Sequence, residues 1–83
     1  MRYIWDIEAD NLLDDVTQVW CHVFRNVDTN EVHTFDPTQM QAAIDFMDKT
    51  TTLIGHNVFD YDLRVMKKLY DYTYKGEVID TLV

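Results

Sequence analysis

Three acids fall within five positions near the start of the chain, Asp6, Glu8 and Asp10 of the stretch YIWDIEAD at residues 3–10. A second acidic group, GHNVFDYD at residues 55–62, adds Asp60 and Asp62. Asp6 and Glu8 stand at i and i+2 of an apolar, strand-forming run. Side chains two apart in a strand share a face, with Cα atoms about 7 Å apart, so two carboxylates can converge on one cation while Ile7 points into the core. The same residues admit a plainer reading, in which both acids lie just past the strand end in solvent. Asp60 and Asp62 are open to two readings as well: either they cap the following helix and complement its positive N-terminal dipole, or Asp62 joins Asp6 and Glu8 around a metal. We weigh Asp60 as the cap and Asp62 as the ligand, because groups at strand ends and helix starts of an α/β sheet gather where ligands bind.

The elements that must position these acids follow from pattern. Tyr3 to Ile7 and TQVWCHVFR at 17–25 are rich in β-branched and aromatic residues and predict strands. Alternation sets Val19, Cys21 and Val23 on one face of the second strand, with Trp20, His22 and Phe24 on the other. NVDTN at 26–30 supplies turn formers, and EVHTF at 31–35 returns as a third strand of an antiparallel hairpin. Asp36 before Pro37 starts a helix, with Met40, Ala43, Ile44 and Met47 at i, i+3, i+4, i+7 as its core face. TTLIGHN predicts a short buried strand ended by Gly55. A second helix begins near Asp60 with Leu63, Met66, Leu69 and Tyr70 on its apolar side, and EVIDTLV is a last strand. Three strands, helix, strand, helix, strand predict one α/β domain over residues 1–83, with a mixed five-stranded sheet in the order of a ribonuclease H-like core.

Composition narrows the function classes. The chain has 83 residues, is 47% hydrophobic and carries 7 basic against 15 acidic residues, a net charge of −8. That balance argues against bulk attraction to nucleic acid, although bound divalent ions reverse the local sign at an acidic site and keep DNA open as a substrate. A domain this short buries roughly 60% of its unfolded surface, so its own core is thin. A lone Cys21 forbids an internal disulfide. With no signal-like run and no apolar stretch near about 18 residues, the expectation is a reducing cytoplasm and no membrane.

Taken together, DIEAD at 6–10, GHNVFDYDLRVMKKL at 55–69 and VIDTLV at 78–83 resemble the proofreading 3′–5′ exonuclease domain of family A DNA polymerases, as carried by short-tailed coliphages. LLDDVTQVWCHVF at 12–24 looks like the segment that follows the first acidic motif in that group. The resemblance runs from Tyr3 to Val83 and includes order and spacing. It implies that Asp6 bridges two divalent ions, that Glu8 holds the ion activating water, and that Asp62 serves the second ion. It also implies a fourth acid, with a tyrosine or histidine orienting the water, in a third motif downstream of VIDTLV. The chain is thus expected to be the N-terminal half of such a domain, truncated before the third motif and with little or no activity alone. Asp80 is read as a strand-end or capping residue, not as the fourth acid.

Carboxylate-only ligation suits Mg²⁺ or Mn²⁺, and the absence of a Cys/His cluster argues against zinc. The implied partners are a single-stranded DNA 3′ end and the remainder of a polymerase, or a second chain supplying the third motif. In a host cell this would act in the cytoplasm. His56 and Asn57 are candidates for contacting the strand or holding their loop, and Phe59 and Tyr61 for stacking on an unpaired base or for core packing. Arg64, Lys67 and Lys68 form one helical face, solvated or in contact with phosphate. Two other classes remain: a non-catalytic domain that binds a replication protein, a nuclease or nucleic acid through its acidic cleft or open sheet edge, and a plain acidic α/β domain. An uncovered sheet predicts self-association or a partner.

Overall fold

In a computed structural model of the chain, which describes residues 1–10 and 13–81, seven regular elements form one mixed sheet with two helices. The strands are β1 (Arg2–Ala9), β2 (Val19–Asn26), β3 (Val32–Phe35), β4 (Thr52–Gly55) and β5 (Glu77–Asp80); the helices are α1 (Met40–Lys49) and α2 (Leu63–Tyr70). The sheet order is β3-β2-β1-β4-β5, antiparallel from β1 to β3 and parallel from β1 through β4 to β5. This is the α/β arrangement expected, consistent with a ribonuclease H-like core. The Leu82–Val83 end of the expected last strand lies outside the described residues.

β1 extends two residues beyond the apolar run and carries Asp6 and Glu8 inside the strand, paired with Val23 and Cys21. Its alternation is strict: Tyr3, Trp5 and Ile7 are buried, whereas Ile4, Asp6 and Glu8 are exposed. β2 departs from the expected faces. Glu8 pairs with Cys21 but Ala9 pairs with Val19, so Trp20 is an extra, bulged residue. The bulge turns Val19 inward beside His22 and Phe24 and leaves Trp20 56% exposed, which corrects the alternation read from sequence.

The turn after β2 is organised by Asn26, whose side-chain oxygen accepts the backbone N–H groups of Asp28 and Thr29 at 2.8 and 3.1 Å. Asp36 caps the next segment as expected. Its carboxylate accepts from Thr38 N–H, and Gln39 reaches back to the Asp36 N–H in a capping box, but the first turn, Pro37–Gln39, is a 3₁₀ turn before α1 proper.

Met47 and Ala43 of α1 and Val65 and Met66 of α2 are buried, and the helices pack on one face of the sheet, the face of Tyr3, Trp5, Phe24 and Leu53. Val65, outside the expected apolar side of α2, is fully buried beside Met66. Phe46 closes an aromatic cluster with Tyr3, Phe24, His33 and Phe35 at centroid distances of 4.8–5.6 Å. The other sheet face is bare among the described residues. Register places Val32, Arg25, Ile4, Ile54 and Ile79 in one row across all five strands, and Ile4, Val32 and Ile79 are exposed. No helix among the described residues is long and apolar enough to cross a membrane.

Candidate functional site

The acids of β1 stand where the sheet loses a strand. β4 pairs with β1 only as far as Ile4 opposite Ile54, and after Gly55 the chain leaves the sheet. Gly55 is required there by close approach: a Cβ would lie 2.8 Å from the Trp5 carbonyl oxygen and collide with the Val58 side chain. The next turn is held by two backbone devices. Asn57 adopts the left-handed conformation, φ 61°, and its N–H donates to Asp80 Oδ1 at 2.9 Å. A five-residue π-helical turn, Val58–Asp62, then leads directly into α2.

That wide turn delivers Asp62 to the gap beside β1. Its Oδ2 accepts the backbone N–H of Ile7 at 3.2 Å, a donor left without a strand partner beyond the end of β4. Asp62 is therefore pegged to the residue between Asp6 and Glu8. It is 3% exposed, and its carboxyl is pushed up to about 7, first by burial and then by the negative charge of Asp6, with Asp80 adding to the effect and the Ile7 N–H opposing it. Tyr61, half-buried beside it, is raised by burial and by the charges of Asp62, Asp10 and Glu8. The acids of both motifs thus lie in one electrostatic neighbourhood. Among the described residues, however, no three His, Cys, Asp or Glu side chains stand close enough together to hold a metal ion as they are.

The remaining expected residues separate. Asp60 does not cap the second helix: the helical turns begin at Val58, following Asn57, and Asp60 is an exposed member of the first turn, where its charge still complements the positive end of the helix. His56 is exposed, with Nδ1 3.4 Å from Thr81 Oγ1, and Asn57 serves the turn through its backbone. The Phe59 ring lies outside the described residues, so its stacking role does too. Asp80 sits at the end of β5 and anchors the Asn57 turn, as a strand-end residue should. Asp10 is a clamp for the β1–β2 connection, accepting from Thr17 and Gln18 N–H at 2.9 and 3.1 Å and from the Thr17 hydroxyl, which holds its carboxyl below the usual range. Lys67 pairs with Asp71 one turn on, and Lys68 donates to the carbonyls of Leu13 and Asp14, tying that connection to α2. The Ile7 N–H was invisible in sequence, since a backbone donor leaves no residue signature.

No family model matches the chain. It is similar to a DNA-directed DNA polymerase of Enterobacteria phage T3, 32% identical over an alignment of 68 residues that covers 77% of this chain and 10% of the polymerase. The chain therefore corresponds to about a tenth of that relative's length.

Proposed function

We propose that Asp6, Glu8 and Asp62 form the protein's share of a divalent-cation site for 3′–5′ exonuclease chemistry on single-stranded DNA ends. The observation that carries this reading is the Asp62–Ile7 hydrogen bond, which pins a buried carboxylate to the backbone of the residue that separates the two exposed acids of β1. The donor set fits a hard cation, being carboxylate without thiolate or imidazole. The raised Asp62 carboxyl fits as well, because buried like charges are relieved by a positive ion at the same corner. Bound there, Mg²⁺ or Mn²⁺ supplies an acidified water and charge stabilisation at the phosphodiester.

The chain's own residues do the rest. Asp62 is oriented by the Ile7 N–H, Asp6 and Glu8 face solvent where a strand can approach, and Tyr61 flanks the acids at the mouth. A further acid from another segment, in the same polypeptide or in a partner chain, would complete the ligation, as the resemblance to proofreading exonuclease domains implies. The similarity to a phage DNA polymerase supports DNA as the substrate class and a replication protein as the molecular context.

The test is degradation of 3′-labelled single-stranded DNA with Mn²⁺, by this chain alone and mixed with a polypeptide carrying a Tyr-x-x-x-Asp or His-x-x-x-x-Asp segment. Release of nucleoside monophosphates only from the mixture, abolished by Asp6→Ala, is expected. No gain over either piece would count against the reading. A second reading, a non-catalytic interaction domain, is favoured by the row of Val32, Ile4, Ile54 and Ile79 on the uncovered sheet face, which Arg25 interrupts between Val32 and Ile4. It requires partner or self-association that is insensitive both to divalent ions and to Asp6→Ala.

A further inference from the structure

The chain's net charge is −8, yet three of its seven basic residues, Arg64, Lys67 and Lys68, fall within five positions on α2. At i, i+3 and i+4 they share one helical face. Two grooves of about 320 and 330 Å³ run on either side of them and share Arg64 and Lys67 as a common wall. One lies against the β1–β2 connection, with Leu13, Asp14 and Lys68. The other is lined by Leu63, Tyr72, Thr73 and Tyr74. The three cations differ in how far they are compensated. Lys67 is paired with Asp71, Lys68 donates to the neutral carbonyls of Leu13 and Asp14, and neither Lys68 nor Arg64 has an ion pair among the described residues.

We propose that the Arg64–Lys67 ridge and its two grooves bind the phosphate backbone of single-stranded DNA, with the Tyr72–Tyr74 groove receiving a base. Cations tracking a backbone beside aromatic side chains are how single strands are held without sequence preference. The ridge begins two residues after Asp62, with Lys68 about 9 Å from Asp62 along the helix axis; at about 100° per residue its three cations stand roughly 140–240° around the helix from Asp62, so the ridge is a surface separate from the acidic corner. The choice of DNA rests on the exonuclease reading above, whereas the basic ridge itself does not.

The test is fluorescence anisotropy of labelled oligo(dT) in EDTA, where the acids cannot act through a cation. Arg64→Ala is expected to weaken binding about three- to tenfold at about 50 mM salt and to reduce the salt slope by about 0.7. Lys67→Ala is expected to do less because of Asp71, and Lys75→Ala, which removes the same charge elsewhere, to change binding less than about twofold. Equal effects of Arg64→Ala and Lys75→Ala, or no saturable binding by the intact chain, would overturn the ridge while leaving the cation titration of Asp62 to decide the exonuclease reading separately.

Discussion

Two polar side chains are buried against the same sheet and are treated in opposite ways. His22, on the helix-covered face, is fully enclosed: Trp5 Nε1 donates to its Nδ1 at 3.1 Å, and its Nε2 lies 3.1 Å from Met40 Sδ. The Trp5 bond leaves the proton on Nε2, so the ring is held as one neutral tautomer, and burial pushes its pKa down to about 4. Asp62, at the strand end, accepts one backbone N–H and faces other acids. Burial favours the neutral form of both, but only His22 is satisfied by being neutral. The difference teaches where each group belongs: His22 to the core, Asp62 to a site that becomes favourable only with a positive ligand.

The largest effect should come from breaking the satisfied side. Trp5→Ala removes a buried indole and strands the His22 nitrogen, costing about 3–5 kcal/mol, a large fraction of a small domain's stability. Trp5→Phe keeps most of the packing but not the donor and should cost about 1–3 kcal/mol. Urea denaturation of the two variants checks both, and equal losses would show that the Trp5–His22 bond contributes nothing beyond volume.

The next effects are pH-dependent and opposite in sign. The folded pKa of His22 is depressed, so the unfolded chain binds the proton first, and stability is lost as pH falls from about 6.5 through 4, by up to about 3 kcal/mol. Asp62 has a raised folded pKa, so its contribution is present below the ordinary carboxylate range and is lost as pH rises through about 7. The two limbs overlap and oppose each other in the intact protein. Asp62→Asn keeps an acceptor for the Ile7 N–H but removes the charge; metal-free, it should be more stable than wild type by roughly 2–4 kcal/mol at pH 8, and its profile should fall steadily on acidification. Matching wild-type and Asp62→Asn profiles between pH 4.5 and 8 would sink the claim that this carboxylate is held at a cost.

The smallest effect is on the bare face. Ile4→Thr and Ile79→Thr should change stability by no more than about 1 kcal/mol, since both residues are partly exposed, at 37% and 42%. Sedimentation at high concentration gives the sharper readout: if the apolar row associates, these variants lower the apparent mass, and if it does not, wild type and variants sediment alike.

Much of this contrast was legible in the residues. The strand at Tyr3–Ile7, the Asp36–Pro37 cap, the Met40, Ala43, Ile44 and Met47 face and the stop at Gly55 each rest on local chemistry, and each is found in the fold. What was not legible depends on partners distant in sequence. The Trp20 bulge arises from register against β1, and periodicity within β2 cannot reveal it. The π-helical turn ahead of α2 begins at Val58, and Asn57 before it is held by Asp80, 23 residues away. The candidate acids Asp6, Glu8 and Asp62 could be nominated from type and spacing. The bond that organises them could not, because Ile7 contributes only its backbone and does so only where β4 has ended.

Calorimetric titration of Mn²⁺ into the intact chain at pH 8, beside Asp62→Asn, tests the central claim most directly. The account predicts saturable binding with proton release in wild type, and at least about tenfold weaker binding in Asp62→Asn despite its greater metal-free stability. Identical binding by the two proteins, or none by wild type, would contradict it.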